Sequence, residues 1–553
     1  MVAAAEAWLA QDPDPATRAE LHDLLQAATA GVTGAVADLT ERFSGRLDFG
    51  TAGLRGELGA GPTRMNRVLV AQAAAGLAAF LRDRAGSGSA PRVVVGYDAR
   101  HNSERFARDS VELFAGAGLE AVLLPRALPT PVLAFAVRHL DAAAGVMVTA
   151  SHNPARDNGY KVYLGGADGG SQIVPPSDGE IQTRILEVAR RPITELPRSE
   201  AYATADEGVL DAYVAATAAL AGPAAGLRVV YTPMHGVGLE TAQRVLDAAG
   251  LPTPIVVPEQ AQPDPDFPTV AFPNPEEAGA LDLALTLARE HAADLVIAND
   301  PDADRLAVAI PDPAAAEGWR QLSGNEVGWL LGWRAARTAP VAAHEPGRLA
   351  RSLVSSPALG AVAERFGLVG VETLTGFKWI SRTPDLIFGY EEALGYLVNP
   401  ATVHDKDGIS AMVAVLALAG ELAERGATLG DHLREFAAEI GGYASAQISL
   451  RVAELADISR MTAALRADPP TAIGGRPVEA VDDFAAGVGD YPRSDILRFR
   501  LEGARVIVRP SGTEPKLKCY LDAWSLEGDA EARLATARAA VAELEAAMRA
   551  LLV

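Results

Sequence analysis

The chain has 553 residues, with 49 lysines and arginines against 71 aspartates and glutamates, a net charge of −22 and a pI near 4.9. That excess of acid excludes a broad basic face, and with it nucleic-acid binding or attachment to an anionic membrane. Apolar residues at 49% and charged residues at 22% describe a folded chain, and the length exceeds what one hydrophobic core supports. It points to roughly three to four domains.

From the start, Met1-Val-Ala-Ala-Ala-Glu6 lacks the basic segment and long apolar run of an export signal, and the richest later stretch, residues 409–420, is short and flanked by charge. The expectation is a cytoplasmic protein. Arg92-Val-Val-Val-Gly-Tyr-Asp98 reads as a strand, residues 103–118 as a helix capped by Ser103, and residues 120–124 as the next strand. The same order recurs: a strand at 227–231, the loop Thr232-Pro-Met-His-Gly-Val-Gly238, a helix at 239–249 and a strand at 255–257. Asp294-Leu-Val-Ile-Ala298 ends in an aspartate-rich loop, and Asp385-Leu-Ile-Phe388 ends in Gly389-Tyr-Glu-Glu-Ala-Leu-Gly395. Polar loops at strand ends are where open parallel sheets bind ligands.

After about Gly441 the pattern changes to period two, in residues 496–500, 504–508 and 516–520, followed by a long helix at 529–552. The fold class read from this is α/β: three similar α/β domains with mixed or parallel sheets, then a smaller α+β domain with an antiparallel sheet, arranged around a central cleft. The boundaries are 1–205 with an N-terminal helical extension, 206–320, 321–440 and 441–553. Linkers are read at 191–198, at 311–317 and at the glycine pair 441–442. The single cysteine, Cys519, lies in a strand-like context and reads as a buried reduced thiol.

Asp300-Pro-Asp-Ala-Asp-Arg305 offers three carboxylates, and in an extended loop alternate residues project to one side and converge on a hard divalent cation such as Mg²⁺. A helix-loop-helix calcium loop fails here, because Arg305 holds the position needing glycine and Pro311 the position needing glutamate. In Val146-Met-Val-Thr-Ala-Ser-His-Asn-Pro154 a buried-strand pattern breaks into a polar turn carrying Ser151. A Ser151–His152 hydrolase pair is disfavoured, since sequence neighbours generally point apart and no Gly-x-Ser-x-Gly elbow is present. Arg509-Pro-Ser-Gly-Thr513 joins a forked cation, two hydroxyls and a bare backbone, a recipe for holding phosphate, with Lys516 and Lys518 nearby. Gly50, Gly53, Gly56 and Arg55 allow a tight loop with a guanidinium.

Together, Thr149-Ala-Ser-His-Asn-Pro154, Asp300-Pro-Asp-Ala-Asp-Arg305, Gly389-Tyr-Glu-Glu-Ala-Leu-Gly395 and Arg509-Pro-Ser-Gly-Thr-Glu-Pro515 resemble, in order, the four signature loops of the α-D-phosphohexomutases. Phe49-Gly-Thr-Ala-Gly-Leu-Arg55, Thr375-Gly-Phe-Lys378 and Asp405-Lys-Asp-Gly408 point to the phosphoglucomutase branch, nearest the phosphoglucomutase-2/phosphopentomutase type. The resemblance implies that Ser151 is a phosphoserine and a metal ligand with Asp300, Asp302 and Asp304. It implies that Thr51, Lys378, Glu391, Glu392 and Lys518 contact the substrate, and that Arg509, Ser511, Gly512 and Thr513 grip the non-reacting phosphate. His152, Arg55, Lys161 and Lys406 complete the catalytic set, with Lys161 or Lys406 as general acid or base; burial among cations would lower the pKa of Lys161. Where the family commonly has serine in the sugar loop, this chain has Ala393.

The implied reaction passes a phosphoryl group from Ser151 to a sugar monophosphate and takes it back from the other end of the resulting bisphosphate. It needs Mg²⁺, with a sugar 1,6-bisphosphate as activator and a small-molecule sugar phosphate as partner. The main reading interconverts glucose 1-phosphate and glucose 6-phosphate; phosphopentomutase and phosphomannomutase are alternatives, and a sugar-phosphate phosphatase is more remote. A silent sensor would have lost the serine or an aspartate, and this chain keeps all four. The expected assembly is a monomer or homodimer.

Overall fold

In a computed structural model, which describes residues 1–51, 53–86, 88–223, 226–315, 317–339, 345–452, 455–510 and 516–552, the valine run at 93–95 forms the fully buried centre of strand Arg92–Tyr97. Strands covered on both faces read as unbroken apolar runs, and this one is flanked by parallel neighbours, Glu120–Leu123 and Ala144–Val148. Asp157–Leu164 and then Leu54–Glu57 extend the sheet antiparallel. The helices Arg67–Ala85, Ser103–Gly116 and Thr130–His139 pack against it.

Three N-terminal helices, Val2–Gln11, Pro15–Thr29 and Thr33–Phe43, insert Trp8, Leu21, Leu25 and Leu39 into the same core. Each buried leucine contributes about 2 kcal/mol by area. The second of these helices starts where Asp14 accepts the Ala16 N–H at 2.9 Å and Pro15 pre-sets the first turn.

The second sheet joins Ile255–Val256, Val229–Thr232 and Leu295–Ala298 in parallel, then adds Ala307–Pro311 and Trp319–Gln321 antiparallel. The third has Val369–Thr373, Arg348–Ser352 and Leu386–Glu391 in parallel. The last runs antiparallel throughout, in the order Gly442–Arg451, Lys516–Ser525, Ala504–Pro510, Leu497–Leu501, Arg476–Asp483, Ala472–Ile473, with helix Ala530–Leu552 on one face. Cys519 faces that core fully buried, and burial pushes its thiol up to about 12. The architecture is three α/β domains, each built on its own sheet, and one α+β domain with an antiparallel sheet. Among the described residues no helix is long and apolar enough to cross a membrane.

Four local readings change. Ser103 does not cap its helix: Asn102 is the capping residue, with φ +65°, and the Ser103 hydroxyl instead donates to Asp98 Oδ1 at 2.6 Å. Residues 191–198 are no linker, because Ile193 and Leu196 are buried in the first core and Arg198 pairs with Asp109 at 2.8 Å. Pro311, read as the start of a linker, is instead the last residue of strand Ala307–Pro311 and pairs with Trp319 of the next strand in the same sheet. Gly442 begins a strand, where a Cβ would meet the Arg533 backbone at 2.3 Å.

The chain divides into two compact units, one made of 1–321 with 395–420 and the other of 322–394 with 421–553. The segment 395–420 carries Lys406 and all but the last three residues of the apolar helix Gly408–Ala423.

Candidate active site

Strand Ala144–Val148 ends at Thr149, and the chain turns sharply because Ser151 adopts φ +54°, a left-handed conformation rare for a residue with a side chain. The Thr149 hydroxyl accepts the Ser151 N–H at 2.8 Å, and Ser151 Oγ donates to Asp300 Oδ2 at 3.0 Å. Ser151 is only 3% exposed. Its Oγ also lies 3.2 Å from His152 Nδ1, so these sequence neighbours converge instead of pointing apart; the left-handed turn brings them together. Burial, then the nearby Arg305 and Arg55 cations, hold His152 well below its usual range and keep it neutral.

Asp300, Asp302 and Asp304 are each fully buried, with one oxygen apiece within 4.8 Å of the others. They converge through a turn rather than an extended loop: Ala303 has φ +55° and its N–H donates to the Asp300 carbonyl at 2.8 Å. Asp300 Oδ1 accepts the Arg305 N–H at 3.0 Å. Asp302 Oδ2 accepts from Lys161 Nζ at 2.7 Å and from the Thr130 hydroxyl at 2.6 Å. Asp304 Oδ2 accepts from Lys161 at 2.8 Å and pairs with Lys406 at 3.1 Å.

Among the described residues, Asp302 Oδ1 and Asp304 Oδ1 are buried without any hydrogen-bond partner. A buried carboxylate oxygen left bare is costly, and an oxygen-only donor set facing such atoms fits a hard divalent cation. Burial, with Asp302 and Asp304 close by, pushes the Asp300 carboxyl well up. Burial also works against ionisation of Asp302, but Lys161 and Thr130 outweigh it and hold that carboxyl down.

Lys161 stands on strand Asp157–Leu164, opposite Met147. Its pKa is raised, contrary to the sequence expectation. Burial does disfavour the ammonium, yet Asp302 and Asp304 favour it more than Lys406 and Arg55 oppose it. Lys406 is delivered by two anchors: Asp405 accepts from Tyr163 at 2.8 Å and Gln172 at 2.6 Å, and Asp407 accepts from Tyr213 at 2.9 Å while receiving the Ile409 and Ser410 N–H groups. Arg55 is half-buried and reaches Asn153 Oδ1 at 3.3 Å; Thr51 is half-buried in the preceding turn. The turn depends on Gly53, with φ +74°, where a Cβ would lie 1.8 Å from the Tyr160 carbonyl oxygen.

The other unit holds the remaining residues. Glu391 is the last residue of strand Leu386–Glu391, so the sugar loop begins three residues later than the sequence reading placed it. Glu392 Oε2 accepts from the hydroxyls of Ser355 at 2.7 Å and Ser352 at 3.2 Å, which fixes the loop. Lys378 is half-buried on the short helix Phe377–Ile380. Arg509 and Lys518 are cross-strand neighbours in an antiparallel pair. Like charges directly opposite disfavour a sheet unless an anion joins them. Burial and Glu392 push the neighbouring Tyr520 phenol upward, with Arg509 and Glu391 also near enough to act on it. Ser511, Gly512 and Thr513 lie outside the described residues.

Sequence reading missed Arg100, Thr130 and the tyrosine anchors of Lys406. Nothing local separates Tyr163 and Tyr213 from ordinary core aromatics, or Thr130 from any helix-start threonine. Arg100 follows Asp98 by two residues at a strand end, the one signal available.

Residues 46–191, 211–313 and 323–440 match the patterns described as phosphoglucomutase/phosphomannomutase alpha/beta/alpha domains I, II and III, and 448–544 match its C-terminal domain. A Haemophilus influenzae protein called "Probable phosphomannomutase" is 54% identical over 83% of this chain and 93% of its own length. A Mus musculus protein called "Phosphopentomutase" is 34% identical over 95% of this chain and 90% of its own. A Burkholderia thailandensis phosphoglucomutase/phosphomannomutase family structure superposes with a TM-score of 0.70 at 19% identity, over 91% of this chain and 96% of that one, a likeness of fold. With matches along nearly its whole length and all four domains present in order, the chain belongs to the phosphoglucomutase/phosphomannomutase family and is a phosphosugar mutase, an isomerase that moves a phosphoryl group within a sugar phosphate.

Proposed function

We propose that Ser151 is the residue phosphorylated during turnover, and that Asp300, Asp302 and Asp304 hold a Mg²⁺ beside it. The observation that carries this reading is the 3.0 Å approach of Ser151 Oγ to Asp300 Oδ2, next to two carboxylate oxygens that no other described residue satisfies. Bound there, the metal would supply positive charge against the phosphoryl oxygens.

The protein's own groups do the rest. Thr149 and the left-handed turn aim Oγ out of the strand end. Neutral His152, at 3.2 Å, is placed to share a hydrogen bond with Oγ, and the Lys161 and Lys406 ammonium groups balance the carboxylates and meet the anion being transferred. Arg509 and Lys518 grip the phosphate that does not react, while Glu391 and Lys378 hold sugar hydroxyls. The bisphosphate formed midway returns its other phosphate to Ser151, so a sugar 1,6-bisphosphate activates the enzyme.

The first substrate reading is glucose 1-phosphate to glucose 6-phosphate, supported by the phosphoglucomutase-branch motifs at 49–55, 375–378 and 405–408. A second reading, a pentose 1-phosphate, is favoured by Ala393, because losing a hydroxyl from the sugar loop suits a sugar with one fewer hydroxyl to hold. Turnover on glucose, mannose, ribose and deoxyribose 1-phosphates, measured in parallel with release of inorganic phosphate, tests both. Stoichiometric phosphate release would replace the mutase reading with a phosphatase. A Ser151→Ala protein that kept full turnover would refute the phosphoserine.

A further inference from the structure

The turn that carries Ser151 is held from beneath by one side chain outside the motif. Arg100, only 5% exposed, donates from Nη2 to the carbonyls of Ser151 and Asn153, both at 2.6 Å, and from Nη1 to those of Pro154 at 2.9 Å and Asp157 at 3.2 Å. Four carbonyls of one seven-residue stretch, from Ser151 to the first residue of strand Asp157–Leu164, thus converge on a single guanidinium. Its charge is balanced by Asp98, 3.4 Å from Nε, and the Phe267 ring lies under it at 4.9 Å from the centroid.

Asp98 closes a ring of contacts. Its Oδ2 accepts from the Thr149 hydroxyl at 2.6 Å, and Thr149 in turn accepts the Ser151 N–H at 2.8 Å. The chain is therefore tied on both sides of the Ser151 peptide: Thr149 holds the N–H and Arg100 holds the carbonyl. Those two bonds fix both peptide planes flanking the Ser151 Cα, which is what sets φ and ψ. The φ of +54° is unfavourable for serine and persists only where the surroundings over-determine it. In the ordinary right-handed or extended region, the Cα–Cβ bond would swing Oγ away from Asp300.

We infer that Arg100 is a positioning residue: it holds the Ser151 turn left-handed, so that Oγ faces the carboxylate cluster throughout the phosphorylation cycle. Arginine suits the task because its planar fork offers several donors in fixed directions, whereas lysine offers one compact charge that cannot reach four spread carbonyls. Nothing in this role requires Arg100 to touch the sugar or the phosphoryl group. The inference rests on the reading of Ser151 as the phosphorylated residue.

The test compares wild type, Arg100→Lys and Thr149→Val as full-length proteins. Each is incubated with labelled glucose 1,6-bisphosphate and Mg²⁺, and label on Ser151 is followed by mass spectrometry. The rate of discharge to glucose 1-phosphate is then expressed per phosphorylated molecule, so that misfolded protein does not count. Expected for Arg100→Lys is a fall of about 100-fold in both phosphorylation and discharge, with KM within about three-fold of wild type and Mn²⁺ affinity at the aspartates unchanged. Thr149→Val, which cuts the other tie without touching the guanidinium, should fall in the same direction by about ten-fold. An Arg100→Lys protein discharging at the wild-type rate per phosphoserine overturns the role; if that variant does not fold, a wild-type rate in Thr149→Val overturns it instead. Wild-type protein that never takes up label on Ser151 would refute the functional reading itself.

Discussion

Asp302 has one carboxylate oxygen between Lys161 and Thr130 and the other facing no donor among the described residues, so its side chain answers two demands that a neutral amide meets badly. Asp302→Asn keeps the shape but removes half of the anionic pair that balances Lys161, and it weakens the cradle for a divalent ion. Titration with Mn²⁺ should show affinity reduced at least ten-fold, with turnover down at least 100-fold. Unchanged binding would show that these carboxylates are held by lysines alone. Gly53 answers a different demand, for space and a positive φ together. Gly53→Ala would drive a methyl into the Tyr160 carbonyl, which belongs to the strand carrying Lys161. A loss of at least about 2 kcal/mol is expected from strain and clash, read as a lower urea midpoint.

Among the elements, the paired antiparallel strands Ala504–Pro510 and Lys516–Ser525 set Arg509 opposite Lys518. If that pair exists to hold the distal phosphate, Arg509→Gln should raise KM for a sugar phosphate at least ten-fold. The same change should relieve like-charge repulsion and leave the melting temperature unchanged or slightly higher. A KM within two-fold of wild type would count against phosphate binding there. Much of this element plan was legible in sequence. Unbroken valine runs marked doubly covered strands, alternation marked the antiparallel sheet, and strand ends marked the polar loops. What stayed hidden was conformation at single residues. Ser151 and Ala303 sit at φ +54° and +55°, values that sequence does not announce for serine or alanine, and each decides where its neighbours point. The raised pKa of Lys161 was hidden for a related reason: the sign depends on whether carboxylates or cations stand closer, which only geometry gives.

At the scale of the whole molecule, the two compact units do not follow the order of the chain, since residues 395–420 fold with the first unit while their flanks fold with the second. No periodicity could reveal this, because the helix Gly408–Ala423 reads as buried whatever covers it. Within the second unit, Glu372 on strand Val369–Thr373 ties the third sheet to the last. It meets Arg351 at 2.6 Å, Arg498 at 2.5 Å and Arg505 at 3.2 Å, and Tyr491 donates to it at 3.2 Å. Around this cluster Leu353, Leu374, Phe484, Ile507 and Tyr520 form an apolar seam between the same two sheets. Burial pushes the Glu372 carboxyl up, but Arg351, Arg505 and Arg498 reverse it and hold it at about 2, against an ordinary value of 4.5. A carboxyl depressed by folding stabilises the folded state above its unfolded pKa, and that contribution is lost as pH falls through the window from about 4.5 to about 2. The shift corresponds to on the order of 3 kcal/mol at neutral pH. Glu372→Gln should therefore be less stable than wild type by roughly that amount at pH 7, with the gap narrowing by about a third to a half by pH 3.5. Urea unfolding of both proteins at the two pH values measures it, and a gap that did not change with pH would assign the stabilisation of this seam to its apolar side chains rather than to the ionised glutamate.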